Sequence, residues 1–204
     1  MPDVLDIPLL TGRTLTLRPH TAADVDAVLE RCRHPDTIRW TTVPDPYTRE
    51  MAQEYLAGLG PSAEQVSWAI ERGGAYAGTI DLRSWGCDAD HGSGNLGFVT
   101  HQHFRGRGVM SEAIGLVLDH AFGTLGWELV TWQANVGNYA SAKAAWRTGF
   151  PPPVLVPALL LHRGRMVDGW HSAIEAGSPR QSFLTWAQVY AVLLQHERVA
   201  RGPG

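Results

Sequence analysis

Apolar and polar residues alternate along this chain with two different periods, which predict a series of strands and helices. Runs in which every second residue is apolar predict strands, and apolar residues spaced three and four apart predict helices. The predicted strands cover residues 14–18, 66–72, 76–82, 96–100, 129–134, 154–162 and 166–174. The predicted helices cover residues 22–33, 50–59, 110–122, 138–148 and 185–198. The order βααβββαβαββ before the last helix indicates one domain of the α+β, or mixed α/β, class.

The connections between these elements are predicted from their turn-forming residues. Gly73 and Gly74 separate two strand-like runs and predict a hairpin. Prolines interrupt residues 34–48, and polar and acidic residues fill 85–94, so both segments are predicted as loops. The last helix carries one apolar face that is predicted to be buried, where it covers a pocket, seals the sheet or contacts a second copy. That face consists of Trp186, Val189, Tyr190, Leu193 and Leu194.

Composition narrows the class of protein. The chain has 204 residues, 44% of them hydrophobic, with a net charge of −3, so no broad basic surface for nucleic acid is expected. Cys32 and Cys87 are too few for a disulfide framework and suit a reducing cytoplasm. The first ten residues lack the basic region of a signal peptide, and no apolar run approaches the roughly 20 residues of a membrane span.

The most informative segment is a basic glycine turn, R-G-R-G at 105–108, between the predicted strand at 96–100 and the helix at 110–122. The free N–H groups at a helix N-terminus and the helix dipole favour an anion such as a phosphate. Gly106 and Gly108 let the backbone approach a ligand, and Arg105 and Arg107 add positive charge. The turn predicts a site for a cofactor that carries a pyrophosphate; the alternative is an ordinary strand–helix connection with two surface arginines.

Other motifs are weaker. The run G-S-G-N-L-G at 92–97 matches a dinucleotide fingerprint in form, but it precedes a strand rather than a helix, so it is rejected. His101 and His103 have the spacing of metal ligands without a third ligand nearby in sequence, so no metal site is predicted. Neither a G-x-S-x-G motif nor a Cys–His pairing supports a hydrolase.

Several motifs in order along the chain resemble one family. Arg105, Gly108 and Met110 fill a cofactor pattern in which Met110 stands where a small residue is usual. N-Y-A-S at 138–141 precedes a helix that ends in Gly149-Phe150. L-T-L-R-P at 15–19, P-Y-T at 46–48, G-F-V-T at 97–100 and R-G-R-M-V-D at 163–168 complete the set. The chain resembles a GNAT-superfamily N-acetyltransferase of the RimJ/RimL-like branch from about Leu15 to Ile174.

The resemblance implies a fold and a co-substrate. The fold would be a central, twisted, mostly antiparallel sheet with a splayed parallel strand pair and helices on both faces. It would form a single domain over 1–204, with a core at about 14–174 and an extra helix at about 183–200. The co-substrate would be acetyl-CoA, contacted by Phe98, Val99, Thr100, Arg105, Gly106, Arg107, Gly108, Val109, Met110, Asn138 and Ser141.

The resemblance also implies a mechanism, in which a neutral primary amine attacks the thioester directly. A backbone N–H near Val99 would stabilise the charge on the thioester oxygen, and Ser141 would donate to the leaving sulfur. Asn138 also has an alternative role as a helix cap.

The resemblance does not identify the residue that acts as the general base in this mechanism. Relatives place an acid where this chain has Asn95 or Leu160. Glu71, Asp81 and Asp168 remain as candidates, and Asp81 is predicted to help to hold the acceptor amine.

The acceptor pocket in this family lies between the loop after the first helix and the late hairpin. Trp40, Tyr47, Trp85 and Trp170 are its candidate residues here, with core packing as the alternative role. The acceptor would be a protein or peptide N-terminus or a small-molecule amine, and a homodimer is possible by analogy. The alternative function is a non-catalytic acyl-CoA-binding or interaction protein on the same fold.

Overall fold

The structure, a computed structural model, describes residues 7–62, 64–85 and 92–201. One eight-stranded sheet forms its centre, in the order β1-β2-β3-β4-β5-β6-β8-β7. Its strands are β1 (Leu10–Thr11), β2 (Thr16–Arg18), β3 (Gln65–Arg72), β4 (Ala75–Ser84), β5 (Gly92–Thr100), β6 (Trp127–Asn135), β7 (Val154–His162) and β8 (Arg165–Glu175). All neighbouring strands pair antiparallel except β5 and β6, which confirms a mostly antiparallel sheet with one parallel pair.

Helices cover both faces of this sheet. They are α1 (Val25–Arg33), α2 (Pro35–Trp40), α3 (Arg49–Ala57), α4 (Val109–Asp119), α5 (Tyr139–Trp146) and α6 (Trp186–Arg201). Trp68 and Ile80 point from the sheet into the main core with α4, α5 and α6. Ala69 points to the opposite face, where it packs with α1 and α3 in a second core.

The parallel pair separates before either strand ends. Pairing between β5 and β6 runs from Gly92 opposite Trp127 to Leu96 opposite Trp132 and goes no further. Beyond that point β5 continues against β4 to Thr100, and β6 continues against β8 to Asn135. The two strands therefore leave a gap between them, as the resemblance implies.

Two sequence predictions are wrong in the first half of the chain. Residues 34–48 contain the helix α2 rather than a loop alone, because His34 accepts from the Asp36 amide and Pro35 occupies the first helical turn, where its missing N–H costs nothing. β5 begins at Gly92 and not at 96, while residues 86–91 of the predicted loop, with Cys87, lie outside the described residues. Gly92 and Gly94 are needed in this strand because a Cβ atom there would stand 2.1 and 2.4 Å from the Trp127 ring.

The remaining differences concern short or terminal elements. The two-residue strand β1 is too short for a periodic signal, and α4 passes into a π-helical turn at His120–Thr124. In α6, Val189 and Leu193 are fully buried, but Tyr190 is 38% exposed, so the prediction that its side chain is buried is wrong. Within the described part of the chain, no helix combines the length and the apolar character needed to cross a membrane.

Candidate active site

A cavity of about 490 Å³ lies where the gap between β5 and β6 meets the start of α4 and one side of α5. It brings together residues that lie far apart in sequence. Its lining comprises Asp36, Thr37, Trp40, Thr41, Phe98, Val99, Thr100, Phe104, Arg105, Gly106, Gly108, Val109, Met110, Ser111, Asn138, Ala140, Ser141, Lys143, Ala144 and Arg147. Among the predicted cofactor residues, Arg107 alone is not part of this lining.

The edge of β5 offers backbone groups to the cavity. The His101 amide bonds to the Ala77 carbonyl of β4. Because alternate residues of an antiparallel ladder face opposite neighbours, the Val99 amide also faces β4. The amides of Phe98 and Thr100, on either side of Val99, therefore face the gap. An extended ligand can pair with this edge as an added strand does.

The start of α4 is arranged to receive an anion. Its N-cap residue is Gly108, with φ 78°, and no side chain caps the helix. The first N–H groups of a helix lack an internal partner, so those of Val109, Met110 and Ser111 are available to a ligand. The Met110 side chain is buried in the main core. The turn and the strand edge together fit a ligand with a pyrophosphate and an extended amide-containing arm.

Arg105 makes an unexpected set of contacts. Its guanidinium donates to the Asp36 carboxylate at 2.8 Å and to the Thr37 hydroxyl at 3.2 Å, both on α2. It also lies 3.2 Å from the His34 Nδ1 atom and 3.4 Å from the Thr100 carbonyl. Arg105 therefore ties α2 to the glycine turn, and part of its charge is used inside the protein.

Asn138 and Ser141 lie together at the start of α5. Asn138 caps the helix, since its Oδ1 atom accepts from the Ser141 amide at 3.3 Å. The indole Nε1–H of Trp132 donates to Ser141 Oγ at 3.0 Å. Because the indole can only donate, the Ser141 hydroxyl keeps its own proton for another acceptor. Sequence reasoning did not find Trp132, because an apolar strand residue gives no sign of where its N–H points.

Two further cations, Lys143 of α5 and Arg147 directly after its end, line the cavity and were not predicted. They stand four residues apart and therefore lie on the same face of the helix. The sequence carries no signal for them, because their position matters only once α5 is known to flank the cavity. These side chains give the α5 wall two positive charges.

The candidate acids lie in different settings. Asp81 of β4 faces Gly97 of β5, and a Cβ atom at Gly97 would stand 2.7 Å from its carboxylate. Desolvation by burial raises the pKa of Asp81. Glu71 is held by Arg18 at 2.7 Å, and Asp168 accepts from the Ala158 amide at 3.0 Å. Asp81 is thus the candidate whose carboxylate is not already held by a cation or a backbone amide, although it does not line the cavity.

The two positions where relatives place an acid carry neutral side chains with structural contacts. Asn95 donates to the Thr131 hydroxyl at 3.1 Å. Leu160 packs beside Gly169.

The four aromatic residues predicted for the acceptor pocket do not come together. Trp40, at the end of α2, lines the cavity. Tyr47 is buried in the second core, Trp170 is fully buried in the main core, and Trp85 is exposed outside the cavity. The late hairpin does reach the segment after α1, because Arg163 donates to the carbonyls of Ile38 and Val43 at 2.8 and 3.2 Å. Trp40 is therefore the aromatic residue of this set that a ligand in the cavity can touch.

His101 and His103, which have the spacing of metal ligands, both lie beside a carboxylate of this chain. His103 lies 3.0 Å and His101 3.6 Å from the Glu30 carboxylate. Across residues 7–62, 64–85 and 92–201, no group of three or more His, Cys, Asp or Glu side chains is arranged to hold a metal ion.

Comparison with known proteins agrees with this geometry. The sequence profile of the GNAT acetyltransferase domain matches residues 14–151. The fold is similar to a GCN5-related N-acetyltransferase from Brucella melitensis, with a TM-score of 0.73 and 19% identity over 95% of this chain and 86% of that one. It is similar to Mycobacterium smegmatis RimJ in complex with CoA-disulfide, with a TM-score of 0.72 and 20% identity over 97% and 96% of the two chains. No curated protein matches the sequence significantly.

A third similar structure is RimL, a ribosomal L7/L12 α-N-protein acetyltransferase, in complex with coenzyme A. Its TM-score is 0.69, with 17% identity over 84% of this chain and 100% of that one. The family profile covers about two thirds of the chain, so the chain belongs to the GNAT acetyltransferase family. The protein is an acetyl-CoA-dependent N-acetyltransferase with a RimJ/RimL-like fold.

Proposed function

We propose that this enzyme acetylates a primary amine at the end of the cavity lined by Trp40 of α2. The acceptor is a protein or peptide N-terminus or a small-molecule amine. Two observations support this position: Trp40 lines the cavity, and Arg163 joins the β7–β8 hairpin to Ile38 of α2 and to Val43 after it. RimJ and RimL are similar in fold, and RimL acts on a ribosomal protein N-terminus. Peptide N-termini are therefore the first acceptors to test.

The proposed seating of acetyl-CoA, which supplies the activated acetyl group, uses the whole cavity. The amides of Val109 to Ser111 and the adjoining glycines hold the pyrophosphate. The free edge of β5 at Phe98 and Thr100 pairs with the pantetheine arm, and Asn138 contacts the arm from α5. The exposed guanidinium of Arg107 contributes long-range charge rather than a contact.

Ser141 is proposed to donate its hydroxyl proton to the thiolate that leaves. The Trp132–Ser141 hydrogen bond carries this proposal, because it fixes Oγ as an acceptor from the indole and directs the hydroxyl proton elsewhere. A thiolate with a pKa of roughly 8.5 requires only modest help to leave. Amides at the open edge of β5 would stabilise the charge on the thioester oxygen.

Asp81 is proposed to hold the acceptor amine or to accept its proton through water. It shares one face of the sheet with Val99, two residues beyond its partner Gly97. Its raised pKa brings the carboxylate closer to the range in which a base works efficiently.

Release of free CoA thiol on mixing protein, acetyl-CoA and an amine tests this proposal, because a protein that only bound acyl-CoA would release none. We further propose a cytoplasmic enzyme, supported by the free and buried thiol of Cys32. A homodimer is part of the same proposal, and sedimentation analysis tests it.

A further inference from the structure

The C-terminal helix α6 lies beyond the part of the chain that matches the family profile, yet it holds α5 along its length. The Tyr139 hydroxyl at the start of α5 donates to the Glu197 carboxylate at 2.5 Å. At the other end of α5, the Trp146 indole donates to the Leu184 carbonyl at 2.9 Å, and its ring lies 5.5 Å from the Trp186 ring. α6 is therefore packed against the helix that forms one wall of the cofactor cavity.

A further contact of α6 involves a charged side chain that lines the cavity. Lys143, the only lysine of the chain, lines the cavity, and its ammonium lies 5.4 Å from the centre of the Trp186 ring. A cation at this distance from an indole is attracted to the ring face. Trp186 thus restricts the positions that the Lys143 ammonium takes up.

The distribution of charge makes this lysine important. Arg105 shares its guanidinium with Asp36, and Arg107 stands outside the cavity lining. Lys143 and Arg147 lie along α5 beyond Asn138 and Ser141. At 1.5 Å per residue, Arg147 stands about 13 Å from Asn138 along the helix axis. The two cations therefore lie toward the end of the cavity that is remote from the proposed thioester position.

We propose that Trp186 of α6 positions the Lys143 ammonium to recognise the 3′-phosphate of coenzyme A. In this arrangement α6 is part of the cofactor site, and Trp186 is a positioning residue that acts through Lys143. The inference rests on the seating of acetyl-CoA proposed above. The group that is recognised is a phosphate monoester. The Lys143 ammonium that binds it is already held in position before the ligand arrives.

Calorimetric titration with coenzyme A and with 3′-dephospho-coenzyme A tests this inference. The two ligands differ only in the phosphate in question, so the ratio of their Kd values isolates it. The wild-type protein is expected to prefer coenzyme A about tenfold, in keeping with one hydrogen bond to a charged group. Lys143→Met should reduce this preference to about twofold, and Trp186→Leu should reduce it to about threefold. Trp186→Phe keeps an aromatic ring beside Lys143 and should retain most of the preference.

A matched control separates positioning from general packing. Leu193 is fully buried on the same helix, about two turns from Trp186, so Leu193→Ala should lower the Tm and leave the ratio of the two Kd values unchanged. If Trp186→Leu does not fold, chemical modification of the wild-type protein with an amine-reactive reagent provides the test instead. Coenzyme A should then protect Lys143 more strongly than 3′-dephospho-coenzyme A does.

The outcomes separate this inference from the proposed function. An unchanged ratio in Trp186→Leu, or equal protection of Lys143 by the two ligands, overturns the role of α6 while the acetyltransferase site stands. Absence of coenzyme A binding at millimolar concentration overturns the proposed seating and, with it, this inference.

Discussion

Trp132 donates its indole N–H to the Ser141 hydroxyl oxygen over 3.0 Å, from a fully buried position in the strand β6. The contact joins the main core to the cavity and leaves the hydroxyl proton of Ser141 free for a ligand. In the proposed mechanism this proton goes to the leaving thiolate.

Replacement of Ser141 by alanine should lower kcat by about tenfold to a hundredfold, because the leaving thiolate loses its proton donor. The KM for acetyl-CoA should change little, since the turn and the β5 edge still hold the cofactor. Steady-state thiol-release kinetics measure both constants. An equal kcat for Ser141→Ala and wild type would exclude the proton-donor role.

Trp132→Phe keeps an aromatic ring in the core and removes the N–H together with part of the indole. The hydroxyl of Ser141 is then free to rotate, so kcat should fall by a smaller factor than in Ser141→Ala. A loss of kcat larger than that of Ser141→Ala would show that Trp132 acts by other means than orienting this hydroxyl.

The Arg105–Asp36 contact predicts coupling between the glycine turn and α2. Both side chains are partly exposed, so the pair should contribute about 1 kcal/mol or less to stability. Arg105→Ala and Asp36→Ala should each lower the Tm slightly, and the double variant should lower it by less than the sum. Arg107→Ala is the control, with no change in Tm expected. Additive losses in thermal unfolding would contradict the coupling.

Replacement of Asp81 by asparagine should change stability and activity in opposite directions. Burial raises the folded-state pKa of Asp81 above its unfolded value, so the ionised carboxylate destabilises the folded protein at neutral pH. This penalty is complete above the folded-state pKa and disappears as pH falls below the unfolded value of about 3.9. Asp81→Asn should therefore raise the Tm at pH 7, with a gain that shrinks toward low pH.

Activity of the same variant tests the proposed role toward the amine. The kcat/KM for the acceptor should fall, and the rise of wild-type kcat/KM with pH through the raised pKa should be lost. An unchanged kcat/KM profile across pH would remove Asp81 from the mechanism and leave water as the proton acceptor.

Three of the four predicted aromatic residues should separate into one functional residue and two structural ones. Trp40→Ala should raise the acceptor KM with a small change in Tm. Tyr47→Ala and Trp170→Ala should lower stability by several kcal/mol, as expected for large buried aromatic residues. Thermal unfolding together with acceptor kinetics checks both parts, and a Trp40→Ala protein with wild-type acceptor KM would contradict the proposed acceptor position.

The parts of the site that the sequence predicts are those formed by local backbone geometry. The turn at 105–108 and the cap at Asn138 are short segments whose conformation depends on their own glycines and cap residues rather than on long-range contacts. The splayed strand pair followed from the family resemblance and not from the hydrophobic pattern, which does not show where pairing between two strands ends.

The parts that escaped prediction depend on partners far away in sequence. Trp132 meets Ser141 because α5 folds back over β6, and Trp186 meets Lys143 because α6 returns over α5. Arg105 was predicted to face a phosphate, and its partner Asp36 was missed because the prolines around α2 predicted a loop. Tyr47 and Trp170 are buried in the two cores, and composition alone did not distinguish them from ligand-binding aromatic residues.

One experiment tests the central claim most directly: incubation of the purified protein with acetyl-CoA and a panel of peptides and small amines, with free thiol and acceptor mass both recorded. The account predicts micromolar binding of acetyl-CoA, thiol release that requires an amine, and an acceptor heavier by one acetyl group. Binding of acetyl-CoA with no amine-dependent thiol release across the panel would favour the non-catalytic function. No binding at millimolar acetyl-CoA would contradict the account of the site altogether.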